Sequence, residues 1–102
     1  MIERLEEIKA RFEEVGQLIV QPDAMADMKQ FSRLSKEYKD LEKVVGFYGT
    51  YKKVLDEMKS AKSLLETEKD EDFRKMAKQE LEELEPEKKR LEAQLKQMLI
   101  PK

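Results

Sequence analysis

Three stripes of apolar residues run through the sequence, and within each the gaps are mostly three and four. The first is Leu5, Ile8, Phe12, Val15 and Ile19. The second is Phe31, Leu34, Tyr38, Leu41, Val45, Tyr48 and Leu55. The third is Leu81, Leu84, Leu91, Leu95 and Met98. That rhythm belongs to helices burying one face. It predicts helices over about 2–20, 24–66 and 71–99, in a single all-α domain of three long antiparallel helices covering 1–102.

Polar and special residues punctuate the stripes. Glu3, Glu6 and Glu7 lie in the first turns of helix one, where carboxylates complement the helix dipole. Pro22 ends that helix and biases Gln21 to an extended backbone. Helix two begins between Asp23 and Asp27, either of which is a capping residue. Its stripe changes phase on the way. Beyond Val45, the better-aligned set is Val44, Tyr48, Tyr51, Leu55, Met58 and Leu65, a stutter in the repeat. The stutter coincides with Gly46 and Gly49, read here as a close helix approach or a bend. Asp70, followed by Glu71 and Asp72, caps helix three after a polar hinge over 67–72. Pro86 falls inside the third pattern and predicts a kink there or a restart with Pro86 in the first turn. Pro101 ends the helix, and the stop just after it reads as a cut inside a longer protein.

Charge sharpens the picture more than composition does. Charged residues make up 43% of the 102, normal for helices with one solvated face, and the net charge is only −2. The whole chain is therefore no electrostatic nucleic-acid binder. From Lys29 to Lys62, however, nine basic residues face five acidic ones, between acidic flanks. Within that stretch Lys29, Lys36 and Lys43 recur every seven residues, on the outward side of helix two. A solvated face accounts for them. The sharper reading is a docking stripe for an acidic or RNA-rich partner.

Little else resembles a chemical site. There is no His, Cys or Trp, which removes disulfides, thiolate chemistry and histidine general bases. The absence of cysteine fits a reducing cytoplasm. No apolar run approaches the roughly 20 residues of a membrane span, and the acidic amphipathic start is no signal peptide. The carboxylate pairs Glu6-Glu7, Glu13-Glu14 and Glu82-Glu83 lie on polar helix sides and read as solvated faces, whereas acid–base chemistry needs a carboxylate shifted by burial. Asp70-Glu71-Asp72 lacks the glycine and distal glutamate of a calcium loop. The methionines at 25, 28, 58, 76 and 98 read as gap-filling core. No cofactor, metal or catalytic residue is implied. The chain reads as a binding and positioning module, and a stand-alone coiled-coil adaptor or cochaperone fits the same features.

Three segments carry a family resemblance. The run from Lys29 to Leu41, KQFSRLSKEYKDL, resembles the Arg-Phe-x-x-Leu-Ser-Lys-Glu-Tyr segment of bacterial peptide chain release factors of the first type. EDFRKMAKQEL, from Glu71 to Leu81, resembles a second signature of their N-terminal region, and Leu99-Ile100-Pro101-Lys102 resembles the Leu-Leu-Pro-Lys that closes it. The resemblance covers nearly the whole chain. It implies the N-terminal helical domain of a factor that directs termination at UAA and UAG and triggers hydrolysis of peptidyl-tRNA. It also implies two partners, the ribosome near its stalk base and the methyltransferase that modifies the factor's glutamine. The elements that read codons and catalyse release, Pro-x-Thr and Gly-Gly-Gln, are absent from these 102 residues: Gly46 and Gly49 are not adjacent, and neither Pro22 nor Pro86 has Thr two residues later. A type-two factor is disfavoured by the Leu-Ser-Lys-Glu-Tyr segment and the Pro-Lys ending.

Overall fold

The computed structural model describes residues 1–101. These are all-α: three α-helices, α1 (Ile2–Leu18), α2 (Met28–Thr67) and α3 (Glu71–Met98), with a short 3-10 turn over Ala24–Ala26 and no strand among the described residues. The chain divides into two compact units, one from Met1 to Tyr48 and one beginning at Gly49. Each unit is an antiparallel pair of helical segments. α2 contributes its first half to one and its second half to the other. The boundary between units coincides with the stutter in the stripe. The apolar phase of α2 changes where its packing partner changes from α1 to α3.

In the first unit Leu5 and Val15 are fully buried, and Phe12, Leu34, Tyr38 and Leu41 are half-buried. Burying a Leu or Val completely is worth about 1.5–3 kcal/mol relative to exposure. The rings of Phe12 and Tyr38 stack with centroids 4.6 Å apart. One turn on from Phe12, Gly16 lies beneath the Tyr38 ring: a Cβ there would stand 3.2 Å from Cε2. Beside the stack, Arg11 grips Glu37 with two parallel bonds, Nε to Oε2 at 2.7 Å and Nη2 to Oε1 at 2.9 Å. Its Nη1 donates to Glu14 at 2.8 Å. The fork geometry fixes orientation as well as distance. The start of α2 is set by Asp27, whose backbone is extended and whose Oδ1 accepts from the Gln30 amide at 3.1 Å. Asp23 opens the 3-10 turn without a side-chain cap. The helix thus begins later than residue 24.

In the second unit the buried set is Tyr51, Val54, Met58 and Ala61 from α2 against Ala77, Leu91 and Leu95 from α3. Val54 and Ala61 lie outside the sequence-assigned stripe, and Tyr51 and Met58 inside its shifted form. The Tyr51 hydroxyl donates to Glu92 Oε2 at 2.9 Å. Side chains occupy several backbone groups in the turn between α2 and α3. Arg74 Nη1 donates to the carbonyls of Leu65 and Glu68, the second at 3.1 Å. α2 has no basic residue in its own last turn; a cation from the next helix takes that place, where the helix dipole favours it. Glu68 Oε1 accepts from the amides of Lys69 and Asp70, and Asp70 Oδ1 from those of Asp72 and Phe73.

Two expectations are corrected and one is narrowed. α2 passes unbroken through Gly46 and Gly49, and a Cβ on either would meet nothing within 4 Å. Neither is a close-approach site; that role belongs to Gly16. α3 does not restart at Pro86. Pro86 and Glu82, whose carbonyl loses its donor, lie on the exposed side, where water can take the free acceptor. Of the methionines, Met58 is buried, whereas Met25, Met28 and Met76 are all more than half exposed. Met25 lies in the 3-10 turn, Met28 in the first residue of α2, and Met76 on the rim of a groove described below.

Candidate partner-binding surface

The Lys29, Lys36 and Lys43 side chains are exposed, on the first half of α2, and none takes part in an ion pair among the described residues. Seven residues at 1.5 Å each put successive lysines about 10 Å apart along one line of the helix. Arg33 and Asp40, both exposed, fall on the same side. The strip is basic on balance, with one carboxylate within it. Its members stand about one Debye length apart at physiological salt.

Two surface grooves in the second unit escaped the sequence reading. The first holds about 400 Å³ and is lined by Ser60, Ala61 and Leu64 from α2 and by Phe73, Met76, Ala77, Gln79, Glu80 and Glu83 from α3. Phe73 is 55% and Met76 62% exposed. The second holds about 380 Å³ and is lined by Leu55, Met58, Lys59, Lys62, Ser63, Glu66 and Lys88. The only available signal was weak. Met76 lies off the α3 stripe, and Phe73 stands in the helix's first turn, where sequence cannot tell an exposed aromatic from a core one.

The shifted titrating groups are held by neighbours along or across the helices. The bond from Arg11 holds the Glu37 carboxyl below its ordinary 4.5, against an opposing effect of burial. The Arg90 guanidinium does the same to Glu87. Burial, and then the bond to Glu92, pushes the Tyr51 hydroxyl up to about 12. Each group is bonded to a neighbour in its own unit. No group of three or more acidic residues able to hold a metal occurs among the described residues, and no helix among them is long and apolar enough to cross a membrane.

Comparison with known proteins decides the family. Residues 8–102 match the PCRF domain. The chain belongs to the PCRF domain family. This PCRF domain is 50% identical over its whole length to part of "Peptide chain release factor 1" of Cytophaga hutchinsonii, covering 28% of that protein. It is likewise 50% identical to the protein of that name from Amoebophilus asiaticus, covering 29% of it. With the Brevibacillus brevis protein the identity is 43% over 102 residues, 28% of that chain. The PCRF domain thus spans under a third of the length of these relatives and corresponds to their N-terminal part. No solved structure matches it.

Proposed function

We propose that this chain is the N-terminal helical domain of a peptide chain release factor that directs translation termination at UAA and UAG on the ribosome. The observation that carries the reading is the unbroken match of all 102 residues, at 50% identity, to proteins named as peptide chain release factor 1. Within the whole factor these residues bind and position; they do no chemistry themselves. Residues 1–102 lack Gly-Gly-Gln and Pro-x-Thr, so stop-codon reading and peptidyl-tRNA hydrolysis fall to other parts of the factor. The partners are the ribosome, near its stalk base, and the glutamine methyltransferase that modifies the factor. The setting is the cytoplasm.

Lys29, Lys36 and Lys43 form the partner-facing strip in this reading. Their exposure and regular spacing support it, and so does the physics of steering, in which a basic line speeds capture by an anionic surface and fades with salt. The test is reversal of all three lysines to glutamate in the full-length factor. Association with termination complexes should slow, most at low ionic strength, while single-turnover peptide release from the bound factor stays unchanged. Normal association at low salt would leave the strip as a solvated face only.

A further inference from the structure

The two grooves of the second unit differ in charge. Among the described residues, none of the side chains lining the Phe73 groove is basic, and Glu80 and Glu83 stand exposed on it without an ion pair. The other groove carries Lys59, Lys62 and Lys88 against a single carboxylate, Glu66. One hairpin therefore sorts its charges to two different grooves. Only the acidic one also displays large apolar side chains: Leu64 is 37%, Phe73 55% and Met76 62% exposed. An aromatic and a methionine left more than half exposed beside unpaired carboxylates contribute less to the hairpin than buried ones would. Interfaces join an apolar centre to a polar rim, and this groove has both.

We propose that the groove formed by Leu64, Phe73 and Met76, with Glu80 and Glu83 on its edge, docks an amphipathic helix of a partner protein whose apolar anchors are flanked by lysine or arginine. A volume of about 400 Å³ accepts a few side chains but no folded domain. Helix-in-groove recognition places anchors at i and i+3 or i+4, which lie along one line and suit a groove running between two helices. The two carboxylates select a basic flank and repel a nucleic-acid backbone or an acidic segment. Methionine at the rim adapts to more than one anchor shape. This inference goes beyond the termination reading and does not depend on it.

The experiment uses a fluorescent synthetic helix with two leucines four residues apart and lysines on either flank, together with a matched peptide carrying glutamates in place of the lysines. Binding to the protein is followed by anisotropy. The lysine peptide should bind saturably and the glutamate peptide should not. The pair Phe73→Ala and Met76→Ala changes exposed residues, so circular dichroism should be unaltered, and affinity should fall about tenfold or more. The pair Glu80→Lys and Glu83→Lys should weaken the lysine peptide by a similar factor and restore binding of the glutamate peptide. Equal binding of the two peptides, no saturable binding, or binding untouched by both variant pairs overturns the proposal. A photo-crosslinker at position 76 of the full-length factor gives an independent reading. Crosslinks to a basic amphipathic segment of another protein, whose synthetic peptide then shows the same charge dependence, support it. Crosslinks to RNA or to the same polypeptide refute it.

Discussion

The ring of Tyr38 rests against Gly16, so closely that a Cβ at that glycine would stand 3.2 Å from the ring carbon Cε2. The same ring stacks on Phe12, four residues earlier. It cannot move off one neighbour without disturbing the other. Gly46 and Gly49 are the opposite case, helical glycines with open space around the missing side chain.

The three glycines therefore divide under alanine substitution. Gly46→Ala and Gly49→Ala should each stabilise the protein by about 0.5–1 kcal/mol, the helix preference for Ala over Gly. Gly16→Ala offers the same backbone gain but meets the Tyr38 ring, and overpacking costs about 1–3 kcal/mol. It should be neutral or destabilising. Urea unfolding of the three variants checks this, and a Gly16→Ala gain equal to the other two would mean that the ring gives way freely. Tyr38→Ala should cost about 2 kcal/mol, below the 3–5 kcal/mol of a fully buried aromatic, because Tyr38 is only half-buried.

These glycines also mark how far the sequence could be read. Stripe spacing is a local property, so it located all three helices and the Asp70 cap. It also registered the phase shift in α2, but not its cause. A change of packing partner and a bend leave the same trace in a one-dimensional pattern, and Gly46 and Gly49 sat where a close approach or a bend was expected. The close approach at Gly16 was invisible because it depends on which residue faces it from 22 positions away. Arg11–Glu37, Tyr51–Glu92 and the Arg74 bonds are side-chain meetings across a hairpin, and no spacing rule announces them. The lysine strip was legible because seven residues along one helix is again local. The Phe73 groove was not, since its lining comes from two helices and its apolar members resemble core residues in sequence.

Arg74 should matter more than its place near a helix start suggests. Its guanidinium closes two carbonyls at the end of α2, and bonds of this charged kind are worth about 1.5–3 kcal/mol where the acceptor is otherwise left unpaired. Arg74→Met keeps the aliphatic stem and loses the donors. It should cost about 1–2 kcal/mol, and hydrogen exchange should quicken first at the end of α2. Arg74→Lys should recover part of the loss, since one ammonium reaches carbonyls with less fixed geometry. A methionine variant as stable as the parent would show that water closes the turn equally well.

The Arg11–Glu37 pair gives the first unit an acid-sensitive contact. Glu37 titrates below its ordinary value because Arg11 bonds its ionised form. A carboxyl depressed in the folded state holds fewer protons there than in the unfolded chain. Its contribution is complete above the unfolded value of 4.5 and disappears as pH falls through the lower, folded value. Glu37→Gln should be less stable than the parent at neutral pH, with the difference closing in strong acid. Urea midpoints across that range, with the helix-local pair changed by Glu87→Gln as a comparison, would expose the dependence. A difference that persists unchanged in strong acid would assign the loss to packing.

Tyr51 gives the second unit the opposite sensitivity. The residue is 4% exposed and its hydroxyl donates to Glu92 at 2.9 Å. Burial, reinforced by that carboxylate, moves its ionisation from 10.0 up to about 12. Between those values the unfolded chain releases the phenolic proton and the folded chain keeps it. Stability therefore falls as pH rises through 10 and continues to fall until about 12. Two pH units correspond to about 2–3 kcal/mol for a buried group. Tyr51→Phe loses one hydrogen bond, worth about 1 kcal/mol, but has no proton to release. It should be the less stable form at neutral pH, and its disadvantage should shrink above pH 10 and reverse at about pH 11. Unfolding midpoints of the two forms at stepped alkaline pH would show the crossing, and phenolate absorbance of the parent should include a step near 12 that the variant lacks. Parallel curves for parent and variant would mean that the Tyr51 hydroxyl ionises as freely in the fold as out of it.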